Sequence, residues 1–199
     1  MTTAPARTVL SRADILSMED YARIRADKRR EMVAVKKNRR VSVGPSATFH
    51  FESYDTMWLQ IHEMLRIEKG GEEQIAGELL AYNPLIPKGN ELVATLMFEI
   101  DDPIRRNNLL NQLGGVENTI ALQFSGETVT AMPERDVERT SEKGKASSVH
   151  FIHFPFSAEQ IAKFRNEGTQ IILGVGHDHY GHMAILPEAV RSELAGDFR

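Results

Sequence analysis

The stretch Asn90–Ile100, NELVATLMFEI, decides the fold class of this chain. Leu92, Ala94, Leu96, Phe98 and Ile100 fall on one side, with Glu91, Thr95 and Glu99 among those on the other. That period of two is what a β-strand imposes on its faces. The sequence on the C-terminal side supplies the neighbours such a strand needs. Asp102 followed by Pro103 has the form of a helix start, and the helix runs to about Leu113 before Gly114-Gly115 closes it. Thr119–Phe124 and Glu127–Ala131 flank Ser125-Gly126 as a hairpin. Pro133–Ser147 is charged and poor in apolar residues, hence an exposed loop. Val149–Phe154 reads as a strand, and Ser157 with Gln160 as the capping box of a helix ending near Gly168. Thr169–Val175 is a buried strand, and Pro187 opens a last helix. The order β-α-β-β-β-α-β suggests an α+β fold, a mainly antiparallel sheet with helices packed on one side.

On the N-terminal side the pattern changes to helices. Ser17 followed by Asp20 caps a long basic helix. Val41–Val43 and Thr48–Glu52 bracket Gly44-Pro45 as a strand–loop–strand, with His50 between Phe49 and Phe51 on the opposite, wetter face. Ser53 caps a helix through Glu68 in which Met57, Trp58, Ile61, Met64 and Leu65 span an arc of roughly 120°. Glu68 falls inside the same arc, where an unpaired carboxylate would cost several kcal/mol, unless it reaches solvent at the helix end before Gly70-Gly71. His62 and Arg66 are neighbours at four residues, as are Glu63 and Arg66 at three. A second helix, Glu72 to Tyr82, stops at Asn83-Pro84, and Glu78 lies within reach of the Tyr82 phenol. The expected organisation is one domain, with an N-terminal helical segment of about residues 11–87 on an α+β core of about residues 88–199.

The wording QIHEMLRIE at 60–68, GELLAYNPLIP at 77–87 and ELVATLMFEI at 91–100 resembles a bacterial family of unknown function. YARIRADKRR, RRVSVGP, TFHFES and the His177–Tyr180 region extend the resemblance over nearly the whole chain. Members of that family are often encoded beside rubrerythrin and an iron–sulfur oxidoreductase. The resemblance therefore implies a role in redox chemistry or peroxide defence, with rubrerythrin-type or iron–sulfur proteins as partners. It brings no assigned catalytic residue.

Composition narrows the chemistry. Apolar residues make up 41% of the 199, enough for a real core. There is no cysteine, which excludes disulfides, thiolate nucleophiles and a cysteine-ligated iron–sulfur cluster on this chain. No apolar run is long enough to span a membrane, and the N-terminus lacks a signal-peptide pattern, so a cytoplasmic protein is expected. The net charge of −4 is uneven: residues 1–45 carry 11 Lys/Arg against 5 Asp/Glu, and the remainder 13 against 23. A basic helix of this kind serves an acidic partner, or it meets the acidic body of its own protein. Without interleaved aromatics it is weak evidence for nucleic acid.

Three of the seven histidines fall in GHDHYGH, Gly176–His182. An H-x-H pair on a strand points both imidazoles to one side, a geometry that suits a divalent metal such as iron, manganese or zinc. His177, His179 and His182, with Tyr180 and a carboxylate from Glu63, Glu68 or Glu78, are the candidate ligands. His62, Arg66 and Tyr82 are supporting polar residues. In the resembling family His177 and Tyr180 are typical of this turn, whereas His179 and His182 are particular to this sequence. His150 and His153, three apart in a strand, point to opposite faces. No phosphate-binding glycine loop, nucleophile elbow or paired Glu-x-x-His element is present. The expectation is a metal- or small-ligand-binding accessory protein, with a non-catalytic assembly protein, including a homo-oligomer, as the alternative.

Overall fold

The computed structural model describes residues 7–134 and 145–199. The charged stretch expected to be a loop therefore lies largely outside the described residues. Nine strands form two antiparallel sheets among those residues, one in the order β1-β2-β3-β7-β6 and the other β5-β4-β8-β9. The first contains β1 (Arg40–Val43), β2 (Ala47–Phe51), β3 (Glu91–Phe98), β6 (Met132–Pro133) and β7 (Val149–Pro155). The second contains β4 (Ile120–Phe124), β5 (Glu127–Thr130), β8 (Ile172–His177) and β9 (Tyr180–Ile185). The α+β class with antiparallel sheets is as the sequence indicates, but there are two sheets rather than one.

The expected strand around Leu92 lies at the centre of the first sheet, paired with β2 on one side and β7 on the other. Leu92, Ala94, Leu96 and Phe98 face the second sheet and join Phe49, Phe51, Ile152, Leu122 and Leu173 in the main core. Its opposite face is covered too: Val93 is fully buried among Met57, Ile61, Leu65 and Ile86. Burying a side chain of this size contributes about 2–3 kcal/mol. Helices α2 (Tyr54–Glu68) and α3 (Gly71–Tyr82) form that outer layer. Helix α1 (Met18–Lys37) packs on α2 through Tyr21, Met32 and Leu59. The apolar arc of α2 therefore faces the sheet, while Leu59, on its other side, faces α1.

The caps are where the side chains predict them. Ser17, Ser53, Asp102 and Ser157 each accept a backbone N–H from three residues on, satisfying donors that a helix start leaves open. The helix after Asp102, α4 (Pro103–Leu110), is shorter than the glycine pair suggests. Helices α5 (Ala158–Arg165) and α6 (Glu188–Ala195) pack on each other at one end of the sheets, where Phe156, Phe164 and Phe198 form a ring cluster.

Strand β9 is absent from the sequence expectation. Asp178-His179 forms the two-residue turn that joins it to β8, with His177 opposite Tyr180. Its outward residues Gly181, Met183 and Ile185 are exposed, so the strand lacks the apolar run that marks a buried one. Tyr180, its first residue, ties the two sheets together. The phenol oxygen accepts from the backbone N–H of Ser46 (2.9 Å) and Ala47 (2.8 Å) and donates to the carbonyl of Val43 (2.8 Å). Gly44 in the turn so held has φ +69°, and a Cβ there would lie 2.5 Å from the His182 ring. Arg39, 3% exposed, makes a second tie across the molecule. Its guanidinium donates to the carbonyls of Phe51 (3.2 Å) and Glu52 (2.9 Å) and pairs with Glu193 (3.0 Å) and Asp197.

Candidate ligand cavity

A cavity of about 390 Å³ lies between the outer face of the first sheet and its helical cover. His50, Thr95, Met97, Val149 and Phe151 contribute from the strands, Thr56, Met57 and Gln60 from α2. Tyr82 and Leu85 close one side, while Lys36, Arg39 and Arg40 stand at the C-terminal end of α1. The alternation TFHFE creates it. Phe49 and Phe51 turn into the main core, which sends Thr48, His50 and Glu52 to the other face.

Two polar groups in this cavity, buried Glu52 and half-buried His50, serve different ends. Glu52, 8% exposed, accepts from the hydroxyls of Thr56 (2.6 Å) and Thr95 (2.7 Å), one on each carboxylate oxygen. The carboxylate thus fastens the start of α2 to β3. His50 stands opposite Thr95 on one side and Arg40 on the other. Its Nε2 is buried and has no hydrogen-bond partner. Burial, followed by the positive charge of Arg40, pushes the His50 pKa below its usual range, so the ring is neutral at neutral pH. An unsatisfied buried imidazole nitrogen costs about 1–3 kcal/mol, which a bound donor or acceptor would recover. The Gln60 amide lies 3.4 Å from the Tyr82 hydroxyl on the opposite wall, and Met57, Leu85, Met97 and Phe151 supply apolar surface.

A wider, more open cleft of about 840 Å³ lies on the other side of Arg39. Its central charges already satisfy one another, since Arg39 holds both Glu193 and Asp197 there. Burial nevertheless pushes the Asp197 carboxyl above its ordinary value. The smaller cavity is the better candidate because it alone contains a buried polar atom without a partner.

The histidine-rich segment is arranged differently from the expectation. His177 ends β8 and His179 lies in the turn, so the pair does not project from one strand. Both nitrogens of His177 are engaged: Nδ1 accepts from the His179 N–H (3.2 Å), and Nε2 lies 3.3 Å from the Gly114 carbonyl. His182 packs edge-on against Tyr180, with ring centres 4.5 Å apart. Glu63 belongs to the helical layer, where Arg25 binds it in two places (2.7 and 2.8 Å) and Tyr21 donates to it (2.6 Å). The guanidinium holds the Glu63 carboxyl down to about 2. Glu68 is exposed at the end of α2, and Gln74 bridges it to Glu78 at 2.7 and 2.8 Å. Tyr82 therefore turns to Gln60 rather than to Glu78, and Arg66 is exposed. His62 is fully buried, its ring tilted against Trp58 with ring centres 4.0 Å apart. Its Nε2 accepts from the Leu16 N–H (3.0 Å) while Nδ1 donates to the Trp58 carbonyl (2.7 Å), which fixes a neutral tautomer. Among the described residues no group of three or more His, Asp or Glu is placed to hold a metal ion. The structure keeps the four residues of the 177–182 turn together and joins Glu68 to Glu78 through Gln74, but it unites neither group with Glu63, and it brings only Tyr82 of the supporting set to the cavity.

Other polar clusters are internal ties. His153 lies between Glu91 at Nδ1 and Glu134 at Nε2, each at 3.0 Å, and the carboxylates raise its pKa. Along α1, Arg23, Lys28 and Arg30 pair with acids of the same helix. Arg25 pairs with Glu63. Much of the basic charge is thus met within the chain. No helix among the described residues is long and apolar enough to cross a membrane.

His50 and Glu52 are the residues that sequence reasoning passed over. The available signal was three polar positions, 48, 50 and 52, on a strand followed at once by an apolar helix able to cover them. A polar strand face beneath a helix must be internally bonded or must enclose something polar.

The comparisons with known proteins name no activity. No curated protein matches the chain. A crystal structure of a novel protein of unknown function from Burkholderia pseudomallei K96243 is 37% identical, with a TM-score of 0.88. It covers 96% of this chain and 100% of its own. The profile described as Protein of unknown function (DUF3501) matches residues 9–198. With the match spanning nearly its full length, this chain belongs to the DUF3501 family.

Proposed function

We propose that this protein binds a small organic molecule in the cavity between the first sheet and α2, and acts as a ligand-binding accessory protein. The observation that carries this is the buried, unpartnered Nε2 of His50 in a cavity of about 390 Å³. That volume lies in the range of small-molecule sites, and the wall combines apolar surface with a few convergent polar groups, as such sites do. Of the metal and small-ligand alternatives, the small ligand has the support, because among the described residues no three or more His, Asp or Glu are gathered to hold a metal ion. A rubrerythrin-type or iron–sulfur redox protein is the partner implied by the family resemblance. Such a partner would bring the cluster that this cysteine-free chain does not carry.

Saturation-transfer NMR with a mixed library of small acids, amides and heteroaromatics tests the reading. Wild-type protein is expected to give hits that Gln60→Trp, which fills the cavity from α2, does not. A library whose hits bind both proteins alike, or neither, would overturn it, provided circular dichroism shows the variant folded.

A further inference from the structure

We infer that the ligand is a small organic monoanion, its carboxylate held by Lys36, Arg40 and His50 and its apolar body lying against Met57, Met97 and Phe151. The inference deepens the cavity reading and rests on it. Among the described residues, three nitrogen-bearing side chains in and around this cavity, Lys36, Arg40 and His50, form no hydrogen bond or ion pair. Both oxygens of Glu52 are already bonded to threonine hydroxyls, so the wall's main acceptor is occupied. Lys36 and Arg40 are exposed at the mouth. Among the described residues neither forms an ion pair, unlike Arg23, Arg25, Lys28, Arg30 and Arg39. Arg40 lies directly across from His50 in the β1–β2 pairing, and Lys36 lines the same cavity. A neutral imidazole carrying its hydrogen on Nε2 would donate inward to an oxygen of the ligand. A guanidinium, an ammonium and that donor together make an anion site.

The charge of the anion follows from what else surrounds it. Glu52 lines the cavity, and Glu99 also acts on His50 from the strand end. Arg39 is already paired with Glu193 and Asp197, and the two remaining cations, set against two carboxylates, tolerate one added negative charge better than two, so a carboxylate fits where a phosphate dianion does not. The apolar wall then calls for a short hydrocarbon or aromatic body.

Matched acid and amide pairs separate charge from shape. Phenylacetate with phenylacetamide, and hexanoate with hexanamide, would be titrated into the full chain by calorimetry, with the resonances of His50 and Met97 followed by NMR. The expected result is that each acid binds at least tenfold tighter than its amide, and that Lys36→Gln/Arg40→Gln removes the tenfold while leaving the amide unchanged. Amides that bind as tightly as the acids would overturn the anion and leave the cavity reading standing. Phenyl phosphate binding tighter than phenylacetate would overturn the monoanion. If neither member of either pair moves the two resonances, the anion and the cavity reading fall together.

Discussion

Removing one oxygen from Tyr180 should loosen the attachment between the two sheets. The Tyr180→Phe variant keeps the ring, and with it the edge-on contact with Phe98 at 5.6 Å. It removes the atom that accepts from Ser46 and Ala47 and donates to Val43. Val43 and Ala47 are 0% and 1% exposed, so their backbone groups have no ready access to water, whereas Ser46 is only partly covered. At about 1 kcal/mol for each lost bond, and more where a buried group is stranded, the cost is about 2–4 kcal/mol. For a chain of this length each kcal/mol lowers the melting temperature by about 2–4 °C, giving a drop of roughly 5–15 °C. Calorimetry measures the drop, and hydrogen exchange locates it, with the amides of Ser46 and Ala47 losing protection first. A variant that melts within about 1 °C of wild type, with those amides still protected, would refute the assignment of the phenol as the tie between the sheets.

Two further outcomes follow from the same geometry. Gly44→Ala places a Cβ 2.5 Å from the His182 ring on a backbone at φ +69°. It should destabilise the fold by more than the roughly 1–2 kcal/mol of left-handed strain alone, as measured by urea denaturation; a smaller loss would mean that the β1–β2 turn relaxes freely. His153 is held between Glu91 and Glu134, and its pKa is raised above the ordinary 6.5. A raised pKa stabilises the folded state fully below the unfolded value, and the gain is lost as pH rises through the folded value. The stability difference between wild type and His153→Gln should therefore be larger near about pH 5 than near about pH 9, and a difference independent of pH would dismiss the imidazolium.

The helix starts were legible because capping is local: a hydroxyl or carboxylate three residues ahead of a backbone N–H needs no tertiary information. The central strand was legible for the same reason. Strand β9 was not, since its outward face carries glycine and exposed residues and its place depends on pairing with β8. The cavity was the least legible. His50 reads as a polar residue on the wetter side of a strand, and only the helical cover over that side buries its Nε2. At residues 177–182 residue type is visible in sequence, while the turn that sets His179 off from the strand of His177, and the bonds to the His177 nitrogens, are not. Glu68 lies within an apolar arc on the helical projection, yet it comes at the last residue of α2 and reaches solvent there.

The buried Arg39 has a consequence for the order in which the chain is made. Its charge is met by Glu193 and Asp197, more than 150 residues later. The backbone N–H of Arg199 likewise donates to the Gly89 carbonyl. A nascent chain emerging from the ribosome can therefore form α1 and the β1–β2 hairpin early, but it holds an uncompensated cation at their junction until residues 193–199 are synthesised. An unpaired buried charge of that kind is strongly destabilising. The N-terminal half should thus remain open, and exposed to chaperones and proteases, through most of translation, closing only after synthesis of the segment that completes it.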